Sequence, residues 1–193
     1  LIGNDVIDCR LLPESTPRRS RRFWNKVLTA DEQPLASNAR QRWALWAAKE
    51  SAFKVEARRG VAKRFCPKRY RVVQLKRAPD RLLGQIDGQL ASYPLDVLLL
   101  PDCLLARCWE AGLAPPAWCL RRREAGQPPS LAVRQLLQEV VTTHLPEPHS
   151  WQIQAPYRGI PSLVRPNYSH RLPVSLSHHG AYIAVAWPSQ ISL

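Results

Sequence analysis

Along the chain, the strongest periodic pattern lies between Trp43 and Ala57. Trp43, Trp46, Ala47, Phe53 and Ala57 recur at the spacing that gathers residues on one side of an α-helix, where successive positions advance by about 100°. Ser37 or Asn38 stands where a side chain would cap the first turn, and Gly60 where a left-handed residue would end the last. RRFWNKVLTADEQ predicts a shorter helix before it. LAVRQLLQEVVTTHL predicts a third, with Leu131, Leu136, Leu137, Val140 and Val141 towards a core. LIGNDVIDCR opens the chain with Ile2, Val6, Ile7 and Cys9 suited to a pleated, mostly buried strand. RYRVVQLKRA alternates as a strand, and Leu82 to Pro101 predicts two more short ones. WQIQAPYRGIPSLV reads as a hairpin turning near Gly159, and LPVSLSHHGAYIAVAW as another turning at His179-Gly180.

AGLAPPAWCLRRREAGQPPS, with a proline pair towards each end and an arginine triplet inside, reads as a linker. The pattern therefore divides the chain into two lobes of similar make-up, 1–112 and 113–193. Each combines a helix with antiparallel strands, which predicts an α+β fold.

Several polar residues break these patterns. Glu50 and Lys54 fall in the middle of the long helix's apolar stripe, one turn apart, and a charge facing a core is costly unless something pairs with it. They read either as a local ion pair contributing roughly a few tenths of a kcal/mol or as groups lining a charged site. Asp5 shares a strand face with Gly3, Ile7 and Cys9, so it points either to water at a sheet edge or inward; Gly3 leaves room for something to approach the backbone. An Asp and a Glu from separate elements, both aimed inward, would make a hard oxygen site suited to magnesium, which keeps several waters and often shares a phosphate with the protein. Ser177 and His178 end a strand just before a turn, where side chains can face a cleft, although a single His is more often structural. No G-x-S-x-G accompanies Ser175 or Ser177, which argues against a hydrolase elbow. The prolines of HLPEPH preclude the helical spacing zinc sites prefer for His144 and His149. Arg121 to Arg123 and Arg134 are either solvated surface or a phosphate clamp, for which the forked guanidinium is well matched.

Composition narrows the partners. With 28 Lys and Arg against 15 Asp and Glu, the 193-residue chain carries a formal charge of +13. That balance favours nucleic acid, a phosphate-rich cofactor or an acidic protein, and by itself it puts nucleic acid first. The five cysteines show no C-x-x-C spacing and read as buried thiols in a reducing compartment, so a cytoplasmic location is expected. The densest apolar run, LDVLLLPDCLLA, is interrupted by Asp96, Pro101 and Asp102, so no membrane span is expected. The sequence contains no Met and so does not start at a translation start.

Taken together, Gly3-Asn4-Asp5 on a strand, Trp46-Ala47-Ala48-Lys49-Glu50-Ser51-Ala52-Phe53-Lys54 on a helix and Ser175-Leu176-Ser177-His178 at a hairpin resemble the 4'-phosphopantetheinyl transferase superfamily. Its marks are G-x-D, W-x-x-K-E-[AS]-x-x-K and S-x-S-H. The order, with G-x-D first and S-x-S-H last, is that of the short holo-acyl-carrier-protein synthases, which assemble as trimers. The two-lobed length is closer to the surfactin-type enzymes, whose lobes occur in the opposite order. The chain thus resembles a pseudo-dimer with permuted lobes related by a pseudo-twofold axis, expected as a monomer; the alternative is a trimer with sites between chains.

The resemblance implies transfer of the 4'-phosphopantetheine arm of coenzyme A to a serine of an apo acyl or peptidyl carrier protein, with adenosine 3',5'-bisphosphate released. Asp5 and Glu50 would hold Mg2+, Glu50 would also serve the incoming hydroxyl as base, and Lys54 would neutralise phosphate charge. Ser177, His178, Arg134, Arg121, Arg122, Lys49 and Lys54 would hold coenzyme A. The acidic carrier protein would be steered by the positive surface. Two positions depart from the pattern: Ile7 stands where the surfactin type has a second acid, leaving water or Asp8 as the further metal contact, and Ile160 stands in place of a lysine often found in the G-x-P turn. A basic nucleic-acid-binding module remains the alternative, disfavoured because a basic footprint requires no inward-facing acids.

Overall fold

The computed structural model describes residues 1–12, 17–60, 64–157, 160–166 and 171–190. The fold is α+β, with antiparallel sheets throughout. β1 (Ile2–Asp8) is buried at every residue although it forms the edge of a five-stranded sheet. Its neighbours are β5 (Cys103–Trp109), β4 (Ser92–Leu99), β3 (Arg81–Asp87) and β2 (Arg71–Ala78), in that order. One face of β1 packs on a 20-residue helix, and the other on a hairpin from the far end of the chain, where Val6 meets Ala184 and Ile2 meets Ala186. Burial on both sides accounts for the apolar residues of IGNDVID and sets its polar exceptions, Asn4, Asp5 and Asp8, in relief.

A helix, α1 (Pro17–Val27), precedes the long helix α2 (Ala39–Arg58). Asn38 caps α2 by accepting from the Gln41 N–H at 2.9 Å, and Gly60 follows its end with φ +75. Both ends follow from local chemistry. The buried face of α2 is a different one from that predicted. Ala44, Leu45, Ala48, Ser51, Ala52 and Val55 face the sheet, whereas Trp43, Trp46, Phe53 and Ala57 are half-buried on the outer side. The bulk of the tryptophans suggested a core stripe, but small residues let helix and strand approach closely. A Cβ on Gly3 would collide with the Ser51 carbonyl oxygen and lie 3.1 Å from Lys54 Cβ. The aromatic stripe is covered instead by Phe23 of α1, 5.5 Å from Trp46, and by Phe65, 5.3 Å from both Trp46 and Phe53 (ring centroids).

Among the described residues, Lys49, Glu32 and Glu56 are the charged side chains with no exposure at all. Lys49 is 0 % exposed; its Nζ lies 2.7 Å from Glu32 Oε2 and donates to the carbonyls of Pro67 and Tyr70. Glu32 in turn accepts the amides of Thr29 and Val72, both at 2.8 Å. Desolvation pushes the Lys49 ammonium below its ordinary value, against the pull of Glu32. Lys49 thus ties α2 to the segments before β2 from a fully buried position, whereas a coenzyme A contact was expected of it.

The remaining elements form two three-stranded sheets: β10 (Ser175–His179), β11 (Tyr182–Trp187) and β6 (Ala117–Arg122); and β7 (Gln152–Tyr157), β8 (Ile160–Val164) and β9 (Arg171–Pro173). β6 occupies the stretch read as a linker: pairing with β11 orders it, since Ala184 faces Leu120 and Val185 faces Cys119 in register. The turn expected near Gly159 lies outside the described residues. In the last hairpin His179 pairs with Tyr182, and Gly180 takes φ +55 in a two-residue turn. α3 (Pro129–His144) buries Leu136, Leu137, Val140 and Val141 as expected, together with Ala132 and Val133. Leu131, by contrast, is 50 % exposed, because it lies in the first turn outside that arc. No described helix is long and apolar enough to cross a membrane.

Arg58, at the end of α2, donates to Ile2 O (3.2 Å), Pro161 O (3.0 Å) and Val174 O, and so touches all three sheets or their approaches. Burial pushes its guanidinium down to about 10.

Lys49→Met leaves the buried Glu32 carboxylate unpaired. It should cost about 3–5 kcal/mol of unfolding free energy, measured by urea titration. A cofactor-binding lysine would instead show a weakened affinity for coenzyme A at unchanged stability.

Candidate functional site

Asp5 lies on the α2 face of β1, where an apolar residue would continue the pattern of Ile7. It is 5 % exposed. Its Oδ1 is 3.0 Å from Lys54 Nζ, which also donates to the Asn4 carbonyl at 2.9 Å. The same Nζ stands 3.5 Å from Glu50 Oε1, the i,i+4 partner. One ammonium thus gathers two carboxylates from separate elements. The side chains of Lys54 and Glu50 retain 24 % and 30 % exposure, so the group opens to solvent on one side. The local reason is the close strand–helix approach at Gly3, which lets Lys54 reach over the free edge of β1.

Asp5 Oδ2 is buried with no hydrogen-bond partner among the described residues. An orphaned carboxylate oxygen is expensive unless it is protonated or meets a cation. Burial is the largest effect on Asp5; it and the neighbouring Glu50 charge outweigh Lys54 and push the carboxyl up from 3.8 to about 7. Burial also works against the Lys54 charge, but Asp5 and Glu50 outweigh it and hold the ammonium above its ordinary value. A hard divalent cation fits this environment through Asp5 and Glu50. Among the described residues there is no group of three acids, histidines or cysteines able to hold a metal, so such an ion would complete its shell with water or ligand oxygens. Ile7 is buried against the core and supplies no ligand. Asp8, the other acid of β1, is committed elsewhere: hydrogen bonds from Arg10 above all, then from the Ala181 amide, hold its carboxyl at about 2.

A second feature is a cavity of about 500 Å³ lined by Arg134, Ser130 and Val133 of α3, by Pro161 and Ile153, and by Leu176 and His178 of β10. Arg134 and His178 therefore line one groove. Arg121 and Arg122 do not join them. They line a separate cavity on the other flank of α3, at the β6 edge of the sheet whose opposite edge is β10, and Arg121 pairs with Glu139 at 2.6 Å. Ser177 is buried and accepts from Asn4 Nδ2 at 3.0 Å, so its hydroxyl serves the contact with β1 rather than this groove. Sequence reasoning missed Arg58, whose Pro161 contact borders the groove, and Asn4, which joins β1 to β10. The unusual Asn between Gly3 and Asp5 was the one available sign.

A carboxyl raised in the folded state stabilises the fold while protonated. That contribution is complete below 3.8 and is lost as pH rises to about 7. With chelator present, the parent should lose stability over that window relative to Asp5→Asn, which lacks the titration. Urea unfolding of both proteins at about pH 4.5 and about pH 7.5 measures the change, and an unchanged difference would contradict it.

Residues 1–90, from β1 through β3, match the family model described as 4'-phosphopantetheinyl transferase superfamily. No curated protein and no solved structure matches the chain. The matched segment contains both the strand that carries Asp5 and the helix that carries Glu50 and Lys54, and over it the chain is similar to the 4'-phosphopantetheinyl transferase superfamily.

Proposed function

We propose that this protein transfers the 4'-phosphopantetheine group of coenzyme A to a serine hydroxyl of an apo acyl or peptidyl carrier protein and releases adenosine 3',5'-bisphosphate. The observation that carries this reading is the pairing of Asp5 and Glu50 around Lys54, with one buried Asp5 oxygen left open. A basic module for nucleic acid has no use for inward acids of this kind.

Asp5 and Glu50 would hold Mg2+, which when bound supplies positive charge to the diphosphate. Lys54 keeps its charge in this setting and is placed to neutralise phosphoryl oxygens as well as to fix Asp5. Glu50, the more exposed acid, faces the side from which a carrier serine would arrive and is suited to take its proton. The serine oxygen then bonds to the phosphorus attached to pantetheine as the bridging oxygen leaves with the adenosine bisphosphate. Arg134 and His178 supply a cation and a ring in one groove for the nucleotide portion. Lys49 and the Arg121–Arg122 flank take no part. The active unit is a monomeric pseudo-dimer with permuted lobes, working in the cytoplasm. Its net charge of +13 favours an acidic carrier.

Incubation with coenzyme A, Mg2+ and a panel of apo carrier proteins should add the mass of phosphopantetheine to at least one of them. Asp5→Ala and Glu50→Ala should abolish that gain while the far-ultraviolet circular dichroism stays that of the parent. Near-parental transfer by either variant would sink the metal assignment. Arg134→Ala should raise KM for coenzyme A roughly tenfold, the loss expected for one charge-assisted phosphate contact, whereas Arg122→Ala should leave it unchanged.

A further inference from the structure

Among the described residues β1 has no strand along its outer edge, yet the outward-pointing groups of its alternate residues meet partners from β10. The Asn4 N–H donates to Ser175 Oγ at 2.9 Å and Asn4 Nδ2 to Ser177 Oγ at 3.0 Å. The Asp8 N–H donates to His179 Nδ1 at 3.0 Å. In return, the Ala181 N–H donates to Asp8 Oδ2 at 3.0 Å. Residues 179 and 181 thus grip the last residue of β1 from either side of Gly180. A Cβ at Gly180 would stand 2.5 Å from Asp8 Oδ2, so the turn sits directly against that carboxylate. His178, between the two docking positions Ser177 and His179, lines the groove with Arg134.

These contacts differ in how firmly they fix register. A serine hydroxyl rotates and either donates or accepts, so Ser175 and Ser177 tolerate a small slide of β10 along β1. An imidazole Nδ1 accepts along one direction in the ring plane, and only with the ring proton on Nε2. His179 is therefore the contact that a slide would break.

We propose that His179 is a positioning residue for the transfer: by accepting the Asp8 amide proton it registers the β10–β11 hairpin on β1, and so sets the His178–Arg134 groove relative to Asp5 and Glu50. This rests on the transferase reading given above. A diphosphate bridging the two sites needs both at fixed separation, and a misplacement of about 1 Å costs a phosphoryl transfer ~100-fold.

The test compares the parent with His179→Asn, whose Oδ1 accepts near the place of Nδ1, and His179→Leu, which accepts nothing. Calorimetric titration with coenzyme A counts the binding-competent fraction of each, so that kcat refers to folded protein. For His179→Leu, kcat should fall at least about tenfold with KM for coenzyme A little changed, and His179→Asn should recover kcat to within about threefold of the parent. A Leu variant at the parental kcat overturns the proposal, as does an Asn variant as slow as the Leu variant. If the parent itself transfers nothing, the transferase reading fails. The register claim is then decided by hydrogen exchange of the Asp8 amide: slow in parent and Asn variant and fast in the Leu variant supports it, and equal protection in all three overturns it.

Discussion

Burying β1 forces a carboxylate into the interior. Asp5 cannot leave the face of a strand covered by α2 on one side and by the β10–β11 hairpin on the other, so its charge must be answered where it stands. Lys54 answers half of it through Oδ1, and Oδ2 stays open. Everything proposed for the site follows from that incomplete compensation. A fully paired Asp5 would be a structural ion pair like Glu32–Lys49, where the carboxylate takes two backbone amides besides the ammonium.

The contrast between these two pairs on one helix is informative. Lys49 and Lys54 lie five residues apart and so differ by more than a quarter-turn around α2. Lys49 points into the packed side and is saturated by Glu32 and two carbonyls; Lys54 points over the strand edge and keeps contact with solvent. The small residues Ala44, Ala48, Ser51 and Ala52 allow this, because only a helix lying close to Gly3 lets a lysine stem reach past the strand. Arg58 repeats the same reach one turn later and joins the approaches of the other two sheets.

Much of this was legible in residues with strong local preferences. The Asn38 cap, Gly60, the Gly180 turn and the α3 face were all readable, since each rests on neighbours a few residues away. Asp5, Glu50 and Lys54 were legible as exceptions to pattern. The face of α2 was misread because a helix with aromatics on one side and alanines on the other offers two apolar faces, and side-chain volume favours the wrong one. β6 was read as linker because its arginines, and the proline pairs on either side, hide a strand that only pairing with β11 orders. The arginines of β6 and of α3 looked like one clamp because sequence distance says nothing about which flank of a helix a strand edge occupies.

By itself, the sequence determined the α+β make-up, the positions of the capped helices and the identity of the polar residues that violate the apolar pattern, because periodicity and capping are short-range properties of the chain. Tertiary structure alone decided which lysine is buried for stability and which is available at the site, which arginine shares a groove with His178, and that the odd positions of SLSHH close the edge of β1. Those outcomes depend on contacts between residues up to 173 positions apart, whose geometry is fixed only when helix, sheet and hairpin pack together.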